Sequence, residues 1–370
     1  MQYKDLAPDE LSHRPSFDNH EIVRRFELTD GIIAYVAVHN TNLGPSLGGC
    51  RIYPYASEDE ALYDVLRLSR GMTYKNAMAG LPLGGGKSVI IANPKAQKTE
   101  ELMKDFGRGV ASLEGKYITA EDSGTSEDDM EAIRTQTPHV SGLHPETLGA
   151  EGYADIGGNP SPYTALGCFH GIKSAYKFKE GHDDLNGLAA AIQGVGAVGF
   201  ALAKLLHGAG VKLMIADVSS ENLQRANEEF GDVTIVDPGE IYAQDVDVFV
   251  PCAMGAVLND DTIPQIKASY VAGPSNNQLK EEYHAKALQD LGITYVPDYI
   301  INAGGVICVG YEYFMTGNYN PYDFTISKPA MTAHIMQSSE VVEEILGYAR
   351  DYNLTTAEAA DRLAEEKFLK

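Results

Sequence analysis

Six residues, GVGAVG at 194–199, constrain this chain more than any others. They follow directly on the apolar run LAAAIQ (188–193) and lead into FALAKLLHGAG (200–210), so the glycines stand between a strand and a helix. In that setting each glycine has a task. Gly194 makes the tight turn, Gly196 lets a pyrophosphate approach the backbone, and Gly199 lets the helix pack close to the strand. The first amides of the helix then face the phosphates. The next strand, VKLMIAD, ends at Asp217, 23 positions after Gly194. A carboxylate there accepts a ribose 2′-hydroxyl and repels a 2′-phosphate, and no arginine lies within the next seven residues. The expected cofactor is therefore NAD, not NADP.

Around this unit, strand-like runs at 188–193, 211–217, 233–236, 247–251, 270–273 and 293–296 alternate with mostly helical patterns. That order predicts a parallel sheet covered on both faces. Earlier in the chain, 21–27 and 31–38 read as strands joined by an Asp30-Gly31 turn, with further strands at 88–93 and 117–121. Ser57-Glu58-Asp59-Glu60 has the form of a capping box opening a helix, in which Ala61, Val65, Leu68 and Met72 recur at helical spacing. Helices are also expected over 99–114, from Ser126 to about 136, and over 162–179. The stretch 138–162 is rich in Pro, Gly and His and is the expected domain junction. Two closing helices, 328–350 and 355–368, follow, the first expected to return to the N-terminal domain. The fold class is thus α/β in two domains. A mixed α/β substrate and oligomerisation domain takes 1–145 plus about 328–370, and a Rossmann-type NAD-binding domain takes 146–327.

Charge and cysteine usage narrow the function classes. With 29 Lys and Arg against 52 Asp and Glu, the net charge of −23 disfavours nucleic acid and anionic membranes as partners. No apolar run approaches the roughly 18 residues of a membrane span, and the first residues, MQYKDLAPDELSHR, carry no secretion signal. A cytoplasmic protein is expected. Cys50, Cys168, Cys252 and Cys308 form no CxxC pair, so buried free thiols are expected and no metal site.

The N-terminal half carries a second constellation, GMTYKNAMAGLPLGGGKS (71–88). It is not a triphosphate loop, because GxxxxGK[ST] needs glycine at position 81, which is Leu81. Three glycines before Lys87 read as a loop allowing close backbone approach, across which Lys75 and Lys87 converge. In a shared, partly buried pocket, mutual repulsion and desolvation would favour a neutral lysine able to act as a base, while the other binds a carboxylate. Asp122, just past the strand YITAE, could relay protons to and from nitrogen. These parts suit oxidation of an α-amino acid by NAD, in a cleft between domains.

In the stretches LGPSLGGCR (43–51), RGMTYKNAMAGLPLGGGKSVI (70–90), YITAEDSGT (117–125), GGNPSPYTA (157–165), GVGAVG (194–199), PSNNQL (274–279) and INAGGVI (301–307), the chain resembles the Glu/Leu/Phe/Val amino acid dehydrogenases, most closely the leucine dehydrogenase branch. The resemblance implies that Lys75 binds the substrate carboxylate, Lys87 activates water and Asp122 handles the amine protons. It also implies that Asn276 and Asn277 hold the nicotinamide side, Asn277 touching substrate, and that Asn302 to Gly305 line the cleft. Gly48 and Met72 complete the implied substrate set, and Val198 the cofactor set. Family members are oligomers whose domains open and close, so a homo-oligomer is expected.

Glutamate dehydrogenases have a lysine in their GPxKGG motif where this chain has Leu47, and burying a second carboxylate without a cation would be costly. The resemblance places Leu47, Ala120, Val306 and Val309 around the substrate side chain, which suits leucine, valine or isoleucine. Phenylalanine is the alternative, since single changes of volume move such pockets by only about 1–3 kcal/mol. The sequence departs from leucine dehydrogenases at Ser123 (usually Val), at Gly310-Tyr311 (usually Ala-Asp) and at Pro274-Ser275 (usually Ser-Ala). A non-catalytic NAD-binding regulator is the distant alternative, for which Lys75, Lys87 and Asp122 would have no use.

Overall fold

The structure, a computed structural model, describes residues 1–150, 156–323 and 325–369. The chain forms two units: Met1–Asn159 with Val306–Met331 and Ala364–Lys370, and Pro160–Gly305 with Thr332–Leu363.

In the first unit, six strands among the described residues make one mixed sheet: β1 (Gln2–Asp5), β2 (Ile22–Glu27), β3 (Ile33–Asn40), β4 (Ser46–Tyr53), β5 (Gly84–Ile91) and β6 (Tyr117–Glu121). Their order is β1-β2-β3-β5-β4-β6. β1, β2, β3 and β5 pair antiparallel in succession, whereas β4 runs parallel to both β5 and β6. Alternation along β3 sorts the two faces. Tyr35 and Ala37 join Val23 and Val89 under Leu62, Val65 and Leu66 of the helix Glu58–Met78. Ala34, Val36 and Val38 join Phe26, Cys50 and Ile90 against Leu102, Phe106 and Val110 of the helix Glu100–Ala111. Each of the buried Val, Leu, Ile and Phe side chains stabilises the fold by roughly 1.5–3 kcal/mol.

Two local readings change. The serine of the expected capping box does accept from the Glu60 N–H, but the Glu60 carboxylate reaches the amide of Ala56, one residue before the box would place it. The glycines 84–86 are not a loop; they open β5, and all three are buried. A side chain at Gly85 would fall 2.0 Å from the Thr73 amide nitrogen, and one at Gly84 would fall 2.0 Å from the Asn40 carbonyl oxygen. The glycines serve close packing of strand on helix and strand on strand.

The second unit holds the strands β7 (Ala189–Gln193), β8 (Lys212–Ala216), β9 (Thr234–Ile235), β10 (Val248–Pro251), β11 (Tyr270–Val271) and β12 (Thr294–Tyr295). Every pair among them is parallel, in the order β12-β11-β10-β7-β8-β9. This is the doubly wound arrangement, whose ligand-binding crevice lies beyond the carboxyl ends of the strands where the order reverses, here between β7 and β10.

The domain boundaries shift from those expected. The first unit continues to Asn159 and recovers Val306–Met331, and most of the C-terminal region belongs to the second unit. The expected helix 328–350 is two helices, Lys328–Ser338 and Val341–Tyr352. They part where the Ser338 and Ser339 hydroxyls bond back to the carbonyls of Ile335 and Met336. Val341–Tyr352 does not return to the N-terminal domain; it lies on the helix Ser161–Glu180, with Lys177 and Glu343 paired at 2.9 Å and Arg350 over the Phe178 ring. Residues 151–155 of the expected junction lie outside the described residues. Among the described residues no helix is long and apolar enough to cross a membrane, and Cys50, Cys168, Cys252 and Cys308 are free.

Candidate active site

Lys87 lies midway along β5 and is only 7% exposed. The register that pairs Leu47 with Gly85 and Cys50 with Ser88 sets Lys87 level with Gly49 on β4, and Gly49 in turn is level with Ala120 on β6. Residues level with one another in a sheet share a face, so Leu47, Gly49, Gly85, Lys87, Ile118 and Ala120 share the face covered by the helix Glu58–Met78. Gly49 leaves that face bare. A side chain there would sit 2.8 Å from Asp122 Cβ and 2.5 Å from the Glu121 carbonyl oxygen. Across this gap Lys87 Nζ pairs with Asp122 Oδ2.

Asp122 follows β6 directly. Its N–H donates to Thr125 Oγ1 at 2.9 Å, and the threonine lies 3.0 Å from the Cys50 carbonyl, which ties the turn to β4. Burial pulls the Asp122 carboxyl upward, but the opposing charges of Lys87 and Arg51 outweigh it and hold it down at about 2. Arg51 Nε stands 3.4 Å from the same oxygen, Oδ2. The expected arrangement of two mutually repelling lysines is therefore replaced, at Lys87, by an ion pair with Asp122.

Lys75 belongs to the helix that roofs this face. Thr73 abuts Gly85, Asn76 donates to the Gly84 carbonyl at 2.6 Å, and Met72 Cγ lies 3.4 Å from where a Gly48 side chain would start. Lys75, half-buried, follows Met72 by three positions and projects from the same side of the helix. Leu47 and Ala120, 1% and 5% exposed, supply aliphatic surface on the sheet below.

Val306 and Val309 come from the helix Gly304–Met315. The backbone carbonyl of Val309 accepts from Ser141 Oγ at 2.9 Å, and residues 139–141 run beside β6, where Ser141 N–H bonds to the Thr119 carbonyl. One turn on, the Glu312 carboxylate accepts from the amides of Gly142 and Leu143 at 2.7 and 3.0 Å. The first-unit candidates are thus carried by one sheet face, its covering helix and a helix anchored at the β6 edge.

In the second unit the glycine turn follows β7. Gly194 has φ +95°, a conformation that suits glycine, and a side chain on it would meet Ala253 at 2.9 Å. A side chain at Gly199 would fall 2.0 Å from the Gly194 carbonyl oxygen, so the helix Ala197–Gly208, which includes Val198, can pack only on a glycine there. Beside Gly196 nothing lies within 4 Å, the open approach a pyrophosphate needs. Asp217 accepts from the Val195 amide at 2.8 Å, from Ser219 N–H at 2.8 Å and from Asn222 Nδ2 at 3.2 Å. The geometry fits a dinucleotide.

Past β11, Asn302 Nδ2 donates to Asn276 Oδ1 at 2.7 Å and to the Pro274 carbonyl at 3.1 Å. Asn277 takes φ +52°, and its carbonyl accepts from Ala256 N–H at 2.7 Å, next to the end of β10. The amide group of buried Gln278 holds the Gly273 and Ser275 carbonyls. Sequence reasoning gave no part to Gln278, Arg51, Glu312 or Arg225. Arg225 lies one residue beyond the window searched for an arginine, and its guanidinium donates to the Val195 carbonyl at 2.8 Å. Alternation two residues past Gly49 was the available signal for Arg51.

Comparison with known proteins shows the family. The profile of the "Glu/Leu/Phe/Val dehydrogenase, dimerisation domain" matches residues 19–139, and that of "Glutamate/Leucine/Phenylalanine/Valine dehydrogenase" matches residues 213–370. Leucine dehydrogenase of Geobacillus stearothermophilus is 46% identical over 357 residues, 96% of this chain and 92% of that protein. The chain belongs to the Glu/Leu/Phe/Val dehydrogenase family. Within that family, phenylalanine dehydrogenase of Thermoactinomyces intermedius is 42% identical, over 92% of this chain and 88% of its own. The solved L-tryptophan dehydrogenase of Nostoc punctiforme superposes with a TM-score of 0.80 at 39% identity, covering 95% of this chain and 96% of that one.

Proposed function

We propose that this family member catalyses the reversible, NAD-dependent oxidative deamination of an apolar L-amino acid of the leucine, valine and isoleucine class. The products are the 2-oxo acid and ammonia. One observation carries the reading: buried Lys87, ion-paired with Asp122, shares a sheet face with aliphatic Leu47 and Ala120, under the helix that bears Lys75.

Gly194, Gly196, Val198 and Gly199 would hold the dinucleotide phosphates, Asp217 the ribose, and Asn276 and Asn302 the nicotinamide end. When bound, NAD supplies the acceptor for the hydrogen and electron pair leaving Cα. Lys75 fixes the substrate carboxylate. Leu47, Ala120, Val306 and Val309 enclose the side chain, with Gly48 and Met72 bordering it. Leu47 offers no cation to a second carboxylate, whose burial unpaired would be costly. Lys87, in its neutral form, takes a proton from the water that adds to the iminium carbon, and Asp122 carries protons to and from the departing nitrogen. The balance closes: one water enters, and one ammonium ion and one proton leave with the 2-oxo acid. The reading includes a homo-oligomer in the cytoplasm.

The test is a comparison of kcat/KM for NAD reduction across L-leucine, L-valine, L-isoleucine, L-phenylalanine and L-glutamate. The branched aliphatic substrates should lead and glutamate should be inactive. A preference for phenylalanine would move the assignment to the aromatic branch, and inactivity with every apolar amino acid would reject it.

A further inference from the structure

Asp122 receives two cations on one oxygen. Lys87 Nζ pairs with Oδ2, and Arg51 Nε stands 3.4 Å from it. The two cations differ in one respect: the base in the reaction must give up its proton, whereas a guanidinium never does so under physiological conditions. Arg51 is moreover clamped at its far end. Its Nη1 donates to Asp64 Oδ2 at 2.8 Å. Asp64, on the helix Glu58–Met78, also accepts from the Tyr55 hydroxyl at 2.7 Å and from Arg67 at 3.1 Å. The chain Arg67–Asp64–Arg51–Asp122–Lys87 therefore links the roofing helix to the reacting pair.

Resting on the reading above, we propose that Arg51 is a positioning residue that keeps Asp122 anionic and in place while Lys87 loses and regains its proton. When Lys87 is neutral, Asp122 has lost one counter-charge, and burial then favours protonation of its carboxyl. Arg51 opposes that at the step where an anion is wanted beside a cationic nitrogen. Two further titratable groups feel the Asp122 charge, the buried Cys50 thiol and Tyr117 hydroxyl; both are pushed upward chiefly by burial and hence neutral, so neither can replace Arg51.

The experiment measures kcat and KM of the full-length protein from pH 5 to 10 for wild type, Arg51→Gln, Arg51→Lys, Asp64→Asn and Asp122→Asn. Arg51→Gln should move the acid limb of kcat upward by about one pH unit and so lower kcat roughly tenfold on that limb, with KM for the amino acid changed less than about threefold. Arg51→Lys should recover most of that loss, and Asp64→Asn should shift the limb in the same direction by less. Should Arg51→Gln not fold, Arg51→Lys and Asp64→Asn carry the test between them. A wild-type profile in the Arg51 variants, or a loss uniform across pH and not rescued by lysine, overturns the proposal while inactive Asp122→Asn leaves the reaction assignment standing. Full activity in Asp122→Asn overturns both.

Discussion

Lys87 on β5 and Asp122 beyond β6 meet across the bare backbone of Gly49, the β4 residue level with that lysine. The sheet here provides both the groups and the gap between them. Gly49→Ala should therefore damage activity out of proportion to its size. Its methyl would press on Asp122 Cβ at 2.8 Å and the Glu121 carbonyl oxygen at 2.5 Å, in the space the lysine crosses. Steady-state kinetics should show kcat at least about 100-fold lower, the range lost when an acid–base group is misplaced. A fully active Gly49→Ala would mean that the pair does not work across this gap.

Lys87→Ala should abolish turnover and leave NAD affinity nearly unchanged, because the glycine turn and Asp217 belong to the other unit. Titration calorimetry with NAD, run beside the activity assay, separates the two effects. Surviving turnover would show that the base is another group.

Coenzyme choice turns on Asp217 and its neighbour Arg225. Asp217→Asn keeps an oxygen to accept the Val195 amide but removes the charge facing a 2′-phosphate. Arg225, bonded to the carbonyl of that same Val195, then stands nearby to attract it. The ratio of kcat/KM for NADP over NAD should rise at least tenfold, about 1.4 kcal/mol. An unchanged ratio would place selectivity elsewhere.

Glycines in one short stretch should respond oppositely. Gly71, in the helix Glu58–Met78, has nothing within 4 Å of a would-be side chain, so Gly71→Ala should stabilise by about 0.5–1 kcal/mol. Gly85→Ala would drive a methyl to 2.0 Å from the Thr73 amide nitrogen and should cost about 3 kcal/mol. Urea unfolding of both variants decides; equal effects would contradict the packing described.

Glu312 gives a pH signature. Burial pushes its carboxyl up to about 7 from 4.5, against the pull of the Leu143 and Gly142 amides. An acid raised on folding binds its proton more tightly in the folded state, so stability is greatest below the unfolded value and declines as pH climbs toward about 7. The decline should be on the order of 3 kcal/mol. Glu312→Gln retains an acceptor for the two amides and should remove that slope. The test is thermal denaturation of both proteins between pH 4 and 8, and identical slopes would refute it.

Much of this was legible in sequence, for physical reasons that differ by region. The fingerprint could be read because its glycines lie between a regular strand and a regular helix, and each is required by a contact that the fold then makes. The helix opened by Ser57 was legible from its cap and its apolar stripe. β4 was not, because Pro45, Gly48 and Gly49 interrupt the alternation that identifies a strand; there, packing against β5 and β6 overrides weak local preference. The triglycine of β5 misled for the same reason. At the site, residue types indicated the chemistry, but the pairing of Lys87 with Asp122 and the approach of Arg51 depend on strand order. No local pattern encodes β4 lying between β5 and β6.

The most direct measurement follows one atom. The protein is mixed with NAD and with L-leucine, L-valine or L-isoleucine carrying deuterium at Cα, and the reduced coenzyme is weighed by mass spectrometry. The account predicts reduced NAD heavier by one deuterium, formed together with ammonia and the 2-oxo acid. Reduced coenzyme without the label, or no reduction with any of the three, would contradict it.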